Sequence, residues 1–257
     1  MSKSLAVILA RGGSKAIPYK NIALIDEVPL IAYTIVEALR AERVDQVVVS
    51  SDSKEILATA VQYGAHPILR PDELSTDGAK PIDCIQHAVD VFECSSLHNA
   101  DRYEYVVELL CTNPFKTSAD IDEALKKQYE TNADSVIAVM PLEDHHPIRI
   151  KKLEDGYIRD FCLPEIPESR RQDLKPLAYI RNGSIYSMRR DMLDAGIRYG
   201  TDDSRAYVMP RERTVNIDEP MDLLVADVLM TRSPRPYVKP LMSYDEAMSS
   251  LESKLLK

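Results

Sequence analysis

The chain of 257 residues carries a formal net charge of −9 and 45% hydrophobic residues, a composition that disfavours wholesale disorder and a general nucleic-acid binder. Its four cysteines show no CxxC spacing, which disfavours a disulfide scaffold or a zinc site, so we expect a reduced, cytoplasmic chain. The first apolar run, residues 5–10, is far shorter than the roughly 20 residues of a membrane span, and no signal peptide is visible.

Short apolar strands alternate with helical patterns as far as residue 139. Strands are predicted over residues 5–10, 46–50, 67–69, 105–110 and 135–139. Helices are predicted over residues 30–40, 54–63, 82–92 and 118–129, with Gly64 directly after the second helix and Ser118 as the N-cap of the fourth. This alternation predicts an α/β fold with a mainly parallel, doubly wound sheet.

The regular pattern breaks after residue 140. Residues 141–178 are rich in proline and charge and show little periodicity, which indicates an active-site cover or a subunit-contact arm. Strands are predicted over 179–188 and 213–217, and helices over 220–230 and 244–256. We therefore expect a single domain over residues 1–232, with 141–190 as its cover or dimerisation region, followed by a linker and helix at 233–257.

The most informative segment directly follows the first strand. Gly12 and Gly13 allow a tight turn that brings backbone N–H groups close to a ligand. Arg11, Lys15 and Lys20 add three positive charges within ten residues. Such a turn suits a phosphate chain, although the segment is neither a Walker A motif nor a dinucleotide fingerprint. The alternative interpretation is a solvated basic loop.

The segment ARGGSK-x-IPxKN resembles the signature of the cytidylyltransferases that activate nonulosonic acids, the CMP-sialic acid synthetase family. Further segments match the family in the same order, and the resemblance covers roughly residues 4–230. They are VVSSD (48–52), LRPDELSTD (69–77), TNPFKT (112–117), RRQDL (170–174), RNGSIY (181–186) and VNIDEP (215–220). Several matches in order make the resemblance specific.

The resemblance implies a reaction in which the anomeric hydroxyl of a 2-keto sugar acid attacks the α-phosphorus of CTP. Pyrophosphate leaves, and a CMP-sugar for surface polysaccharide forms in the presence of Mg²⁺. It further implies a Rossmann-like nucleotidyltransferase sheet with a dimerisation or cover insertion, and a cytoplasmic homodimer. The partners would be CTP and an acidic keto-sugar, with no nucleic acid and no membrane.

The resemblance also assigns roles to individual residues. Arg11, Lys20 and Asp218 would be catalytic, because phosphoryl transfer asks mainly for positioning and charge neutralisation. Asp218 and Asn216 would hold Mg²⁺ through oxygen. The nucleotide site would contain Ala10, Arg11, Gly12, Gly13, Ser14, Lys15, Lys20, Asn21, Arg70, Asp77 and Ala79. The sugar site would contain Lys80, Thr112, Asn113, Arg171, Gln172, Arg181 and Asn182.

Three departures from the family concern the acceptor and the metal. Leu110-Cys111 stands where the family usually has Gln-Pro, whose Gln contacts the acyl group of the sugar. Lys80-Pro81 replaces two serines, and Lys80 could contact an acceptor carboxylate or phosphate. Asn216 replaces an acid, which leaves one carboxylate fewer for the metal. We therefore expect nucleotidyl transfer to a sugar other than an N-acetylated sialic acid.

Two other functions stay open at the level of sequence. A nucleotidyltransferase of the same fold could use another nucleotide or a sugar 1-phosphate, as a guanylyltransferase does, and Lys80 favours this alternative. A catalytically silent nucleotide-binding protein is favoured by Asn216. RNA binding through the single Arg-Gly-Gly is poorly supported, because no aromatic residues are interleaved with it. His145-His146 have no third ligand nearby in sequence, so a loop or sugar-contact role is expected rather than a metal site.

Overall fold

The computed structural model describes residues 3–95, 102–142 and 145–255. In chain order its strands are β1 (Ser4–Leu9), β2 (Leu24–Ile25), β3 (Val28–Pro29), β4 (Gln46–Ser51), β5 (His66–Leu69), β6 (Tyr105–Leu109), β7 (Ser135–Pro141), β8 (Lys151–Glu154), β9 (Tyr157–Asp160), β10 (Tyr179–Arg189) and β11 (Ser204–Val208). Its α-helices are α1 (Leu30–Arg40), α2 (Lys54–Gln62), α3 (Pro81–Cys94), α4 (Ser118–Thr131), α5 (Arg190–Asp194), α6 (Pro220–Arg232) and α7 (Tyr244–Leu255).

Seven strands of the described chain form one sheet in the order β11-β7-β10-β6-β1-β4-β5. β10 runs antiparallel to β6 and β7, and the other neighbouring strands are parallel. The predicted α/β fold with a mainly parallel sheet is therefore confirmed. β1 lies near the middle, so the loops that follow β4, β1 and β6 meet at one edge of the sheet, where open α/β folds bind ligands.

The sheet is covered on both faces, as its sequence pattern predicts. β1 is buried along nearly its whole length, which explains its continuous apolar run SLAVIL. One hydrophobic core contains Ile31 of α1, Leu57 of α2 and Leu125 of α4. A second core contains Ile85 of α3 and Leu193 of α5. No helix in the described ranges is long and apolar enough to cross a membrane.

Two local predictions are wrong. Ser118 is not the N-cap of α4, because Thr117 takes that position: Thr117 Oγ1 accepts from Asp120 N, and Asp120 Oδ2 accepts from Thr117 N at 2.9 Å. Residues 213–217 do not form a strand, since a 3₁₀ helix spans Arg211–Arg213 and irregular chain follows it. β11 forms instead, and it has no apolar run because it is a half-exposed edge strand.

The chain after α6 packs against the rest of the fold. Arg235 Nη1 donates to Glu37 Oε1 at 2.9 Å, and Arg235 Nη2 donates to Phe115 O at 2.8 Å. Tyr237 hydrogen-bonds the same Glu37 carboxylate, which is only 2% exposed on its side chain. Leu251 of α7 is buried in the core. The C-terminal segment thus neutralises a buried carboxylate of α1.

Arg235→Ala is expected to lower the free energy of unfolding by about 3 kcal/mol, because it leaves Glu37 buried without its cation. Urea unfolding followed by circular dichroism measures the change. Arg232→Ala, at an exposed position of α6, is the control and is expected to change stability by no more than about 0.5 kcal/mol. Equal effects of the two substitutions would contradict the role given to Arg235.

Candidate active site

A cleft of about 330 Å³ opens at the edge of the sheet where the loops after β1, β5 and β6 meet. The structure thereby brings together residues that are far apart in sequence. The predicted nucleotide-site residues in its lining are Arg11, Ser14, Lys20, Asn21, Arg70, Asp77 and Ala79. Thr112, from the predicted sugar site, also lines the cleft.

The loop after β1 is shaped by its glycines. Gly12 N donates to Asp52 Oδ1 at 2.8 Å, and a Cβ on Gly12 would lie 3.2 Å from Ser53 Cβ. Glycine therefore permits the close approach of this loop to the end of β4. Ser14 N donates to Gly12 O at 3.0 Å and closes a tight turn, while Gly13 borders open space.

Hydrogen bonds of buried residues hold the backbone of this loop in place. Ala10 is buried, and its N donates to Ser50 O at 3.0 Å. Asn21 is 7% exposed, and its Nδ2 donates to Arg11 O at 2.9 Å. Asn21 Oδ1 in turn accepts from the Cys111 thiol at 2.9 Å. Burial raises the pKa of Cys111, so this cysteine serves packing and hydrogen bonding rather than nucleophilic attack.

The cations of the loop are paired with carboxylates of the protein. Arg11 Nη1 and Lys15 Nζ each lie 2.6 Å from one oxygen of Asp77. Lys20 Nζ lies 3.0 Å from Asp218 Oδ1. Hydrogen bonds from Lys15 and Arg11 hold the pKa of Asp77 below its usual range. The loop thus attracts anionic oxygen atoms, and Asp77 supplies them here.

Arg70 borders the cleft on the side of β4 and β5. It is 6% exposed, and its Nε donates to Ser50 Oγ at 3.1 Å while Nη2 donates to Ser50 O at 2.5 Å. Burial lowers its pKa, but an arginine side chain stays charged in proteins. Arg70 is therefore a fixed cation on the β4 side of the loop after β1, and β6 lies on the other side of that loop.

The turn after β6 is organised around a buried lysine. The Lys116 ammonium is fully buried and donates to Thr34 Oγ1 at 2.8 Å, to Leu110 O at 2.7 Å and to Asn113 O at 2.6 Å. Burial lowers the pKa of Lys116 to about 7. These three hydrogen bonds give the turn at the floor of the cleft a defined shape.

Several predicted sugar-site residues adjoin this turn. Ile217 N donates to Thr112 O at 2.8 Å, and Leu110 N donates to Ser184 O at 3.1 Å, so three chain segments meet here. Buried side-chain atoms without a hydrogen-bond partner in the described chain are rare, and this corner holds four. They are Asn113 Nδ2, Asn182 Oδ1, Ser184 Oγ and Asn216 Oδ1. The corner therefore offers polar groups to water or to a ligand.

The remaining predicted sugar-site residues lie elsewhere. Lys80 is the exposed N-cap residue of α3, beside Ala79. Arg181 is exposed and stacks on Tyr199, with its Cζ 4.8 Å from the ring centroid. Arg171 and Gln172 lie on the exposed 3₁₀ helix Arg171–Asp173, and neither lines the cleft of its own chain.

Asp218 and Asn216 form a small oxygen-rich corner beside Lys20. The Asp218 side chain is 65% exposed, and its Oδ2 accepts from Asn216 Nδ2 at 2.5 Å. Carboxylate and amide oxygens suit Mg²⁺, which usually takes its other ligands from water and substrate phosphates. No group of three or more His, Cys, Asp or Glu in the described ranges could hold a metal alone. Asp218 therefore fits a magnesium ion shared with a phosphate chain, whereas Asn216 turns its Nδ2 towards Asp218 and has its Oδ1 buried beside Gly183.

His146 has a structural role in its loop. It is 3% exposed, its Nε2 lies 2.8 Å from Pro176 O, and its Nδ1 accepts from Ile148 N at 3.3 Å. Both ring nitrogens are thus engaged with the backbone of the 142–178 segment. This arrangement agrees with the loop role that the sequence predicted.

Glu108 and Arg198 were missed by the sequence analysis. Glu108 of β6 is 2% exposed and lines the cleft, and Arg198 Nε donates to its Oε2 at 2.6 Å. Burial raises the pKa of Glu108, and the guanidinium opposes that shift. The available signal was a single acid inside the apolar strand YVVEL.

Comparisons with known proteins identify the family of the chain. A family model described as cytidylyltransferase matches residues 5–224. The chain is 32% identical over 235 residues to the N-acylneuraminate cytidylyltransferase of Escherichia coli O18:K1:H7, covering 91% of this chain and 54% of that protein. It is 30% identical over 229 residues to the pseudaminic acid cytidylyltransferase of Campylobacter jejuni serotype O:23/36, covering 88% of this chain and 96% of that protein.

A solved structure of CMP:2-keto-3-deoxy-manno-octonic acid synthetase complexed with CTP has the same fold, with a TM-score of 0.65 at 18% identity over 90% of this chain and 100% of that one. Fold and relatives together define a nucleotidyltransferase enzyme. The chain belongs to the cytidylyltransferase family, within its CMP-sialic acid synthetase group. It spans about half the length of the N-acylneuraminate cytidylyltransferases that it matches.

Asp77→Asn is expected to tighten CTP binding, because it frees Arg11 and Lys15 and removes a negative charge beside the loop after β1. Ion pairs between exposed groups are weak, so the dissociation constant is expected to fall only a few-fold. Isothermal titration calorimetry measures it. Asp72→Asn, at an exposed position of the same segment, is the control. Weaker binding by Asp77→Asn would show that Asp77 itself serves the nucleotide.

Proposed function

We propose that this enzyme transfers CMP from CTP to the anomeric hydroxyl of an acidic 2-keto-3-deoxy sugar and releases pyrophosphate. The observation that carries the proposal is the single cleft lined by Arg11, Lys20 and Arg70 at the end of β1. Relatives named for N-acylneuraminate and pseudaminic acid support this class of acceptor. The described cysteines are free, which agrees with a cytoplasmic enzyme.

The order of the strands suggests how the substrates lie. Arg70 is bound to Ser50 of β4, the phosphate loop follows β1, and Thr112 follows β6. The nucleoside would lie beside Arg70 and Ala79, and the triphosphate would lie on the loop. The acceptor would then approach from the side of β6. Catalysis would come from positioning and from cations that neutralise the phosphate oxygens.

Asp218 would hold Mg²⁺ beside the phosphate chain, and Asn216 would add its Oδ1 after a turn of its amide group. When bound, the ion would stabilise negative charge on the phosphate oxygens. Lys20 donates to Asp218 and also to Ile217 O at 2.8 Å, so its ammonium group is anchored at this corner. Lys20 would bind a phosphate oxygen and orient Asp218.

The acceptor would bind against the polar corner formed by the turn after β6 and by β10. Asn113 and Asn182 have unpartnered atoms there, and Thr112 lines the cleft. Leu110 also lines the cleft but offers no hydrogen bond from its side chain. We therefore propose an acceptor other than N-acetylneuraminate, with Lys80 near its entrance.

We further propose a homodimer in which the described residues 145–190 of the predicted cover region contact the partner subunit. Large apolar side chains of this segment are exposed, as is typical of an interaction surface. They include Leu153, Tyr157, Ile158, Phe161, Ile166 and Leu177, each more than half exposed. In a dimer, Arg171 and Gln172 would be available to the partner's cleft. Sedimentation equilibrium is expected to give twice the mass of the chain, and a monomer at micromolar concentration would contradict this proposal.

The reaction is tested by mass spectrometry after incubation with CTP, Mg²⁺ and a sugar acid. N-acetylneuraminate, pseudaminate and 2-keto-3-deoxy-manno-octonate are the probes, with GTP, UTP and ATP as controls. We expect pyrophosphate and a CMP-sugar, with least product from N-acetylneuraminate. CTP binding without pyrophosphate release from any acid would favour a silent nucleotide-binding protein. Turnover of GTP with a sugar 1-phosphate would favour a guanylyltransferase.

Lys20→Ala is expected to lower kcat by about 100-fold or more, because it removes a fixed donor to developing charge on phosphate. Its unfolding midpoint is expected to stay near that of the wild type. Lys126→Ala, on the exposed face of α4, is the matched control. Wild-type turnover in folded Lys20→Ala would contradict the assigned role.

Asp218→Asn is expected to lower kcat and to raise the Mg²⁺ concentration that gives half-maximal rate, because it removes the carboxylate assigned to the ion. Asn216→Asp is the converse, and it is expected to lower that concentration by adding a second carboxylate. Both are measured from pyrophosphate release at a series of Mg²⁺ concentrations. Undiminished activity of Asp218→Asn would remove Asp218 from the metal site.

A further inference from the structure

We propose that Glu108 determines acceptor specificity: its Oε1 accepts a hydrogen bond from a hydroxyl or N–H group of the sugar acid. This inference rests on the proposed function. Glu108 lines the cleft although its residue is only 2% exposed, and a carboxylate is costly to bury unless its oxygens are bound.

Arg198 satisfies only one oxygen of this carboxylate. Its Nε and Nη2 lie 2.6 Å and 2.5 Å from Glu108 Oε2. Oε1 makes no hydrogen bond to any residue in the described chain. Burial raises the pKa of Glu108, but the Arg198 guanidinium in direct contact with Oε2 favours the ionised carboxylate, which can only accept hydrogen bonds. Oε1 is thus a strong acceptor that a donor in the cleft could satisfy.

The position of the carboxylate is itself well defined. Tyr186 of β10 pairs directly with Glu108 in the sheet. The Cζ of Arg198 lies 4.1 Å from the centroid of the Tyr186 ring and 5.5 Å from that of Tyr199. Arg198 is therefore held between an ion pair and two aromatic rings. A binding group that is fixed in this way loses little entropy when a ligand binds.

The sheet order indicates which substrate Glu108 contacts. Arg70 is bound to Ser50 of β4, the phosphate loop follows β1, and Glu108 belongs to β6. Neighbouring strands are about 4.8 Å apart, so Glu108 lies roughly 10 Å across the sheet from the strand that anchors Arg70. A nucleotide that binds between Arg70 and the loop leaves the Glu108 side to the acceptor.

The charge of Glu108 also restricts how the acceptor lies. Arg198 neutralises most of the charge of this carboxylate, but Oε1 still repels a second carboxylate at close range, so we expect the acid group of the sugar to point away from β6. Leu110 follows Glu108 on the same face of the strand and is apolar. The preferred acceptor therefore carries a hydroxyl or N–H donor on the side opposite its carboxylate, and a derivative without that donor is rejected.

Glu108→Gln tests the inference in the full-length enzyme. We expect the KM for the best acceptor of the panel to rise about 10-fold or more, since hydrogen bonds to charged groups are the stronger ones. The KM for CTP is expected to stay within about 2-fold, which is the scatter of a neutral change. Pyrophosphate release with each substrate varied in turn gives both constants. Deoxy analogues of that acceptor then identify the donor group. The analogue that lacks this group is expected to have the same KM with the wild type and with Glu108→Gln.

Two further variants separate specificity from folding. Glu93→Gln removes a partly buried ion pair, since Arg190 Nη1 lies 2.5 Å from Glu93 Oε1 on α3, and it is expected to leave the acceptor KM unchanged. Glu108→Gln alone leaves Arg198 without its counterion and is expected to lower the free energy of unfolding. The double variant Glu108→Gln with Arg198→Gln removes both charges, and it is expected to be more stable than Glu108→Gln while its acceptor KM stays high.

The outcomes are distinct. An unchanged acceptor KM in folded Glu108→Gln overturns the inference and leaves the proposed function intact. A raised KM for CTP with an unchanged acceptor KM also overturns it, because Glu108 would then contact the cytidine. Absence of pyrophosphate release by the wild type with every acid refutes the proposed function instead.

Discussion

Positive charge collected at the end of β1 is the feature on which the rest of the site depends. Arg11, Lys15 and Lys20 lie on one loop, and in this structure Asp77 and Asp218 are their counterions. Exposed pairs of this kind contribute little to stability, so they are easily exchanged for another anion. Under the proposed function, a triphosphate would replace the carboxylate of Asp77 without loss of the fold.

The fold keeps this charged loop in place with buried polar contacts. Asn21 donates a hydrogen bond to the backbone of Arg11 and accepts one from the thiol of Cys111. Lys116 donates to the backbone of the turn in which Cys111 lies. The loop after β1 and the turn after β6 are therefore linked through Asn21 and Cys111. This link fixes the distance between the loop and the turn, both of which line the cleft.

Much of this arrangement follows from the sequence. Buried parallel strands read as continuous apolar runs, and the glycine loop with its cations is a local feature, so β1 and the cationic loop after it could be predicted. β11 could not, because an edge strand with mixed exposure has no clear periodicity. Glu108 and Arg198 could not be paired either, because 90 residues separate them and no spacing rule connects them. Arg171 and Gln172 do not line the cleft of their own chain, so the sugar-site role predicted for them requires the proposed partner subunit.

The central claim is that the loop after β1 binds the triphosphate of CTP. Calorimetric titration with CTP, CMP and cytidine in the presence of Mg²⁺ tests it most directly. The account predicts one CTP per chain, with affinity that falls in the order CTP, CMP, cytidine and that weakens as salt is added. Equal affinity for CTP and cytidine, or no heat of binding with CTP, would contradict it.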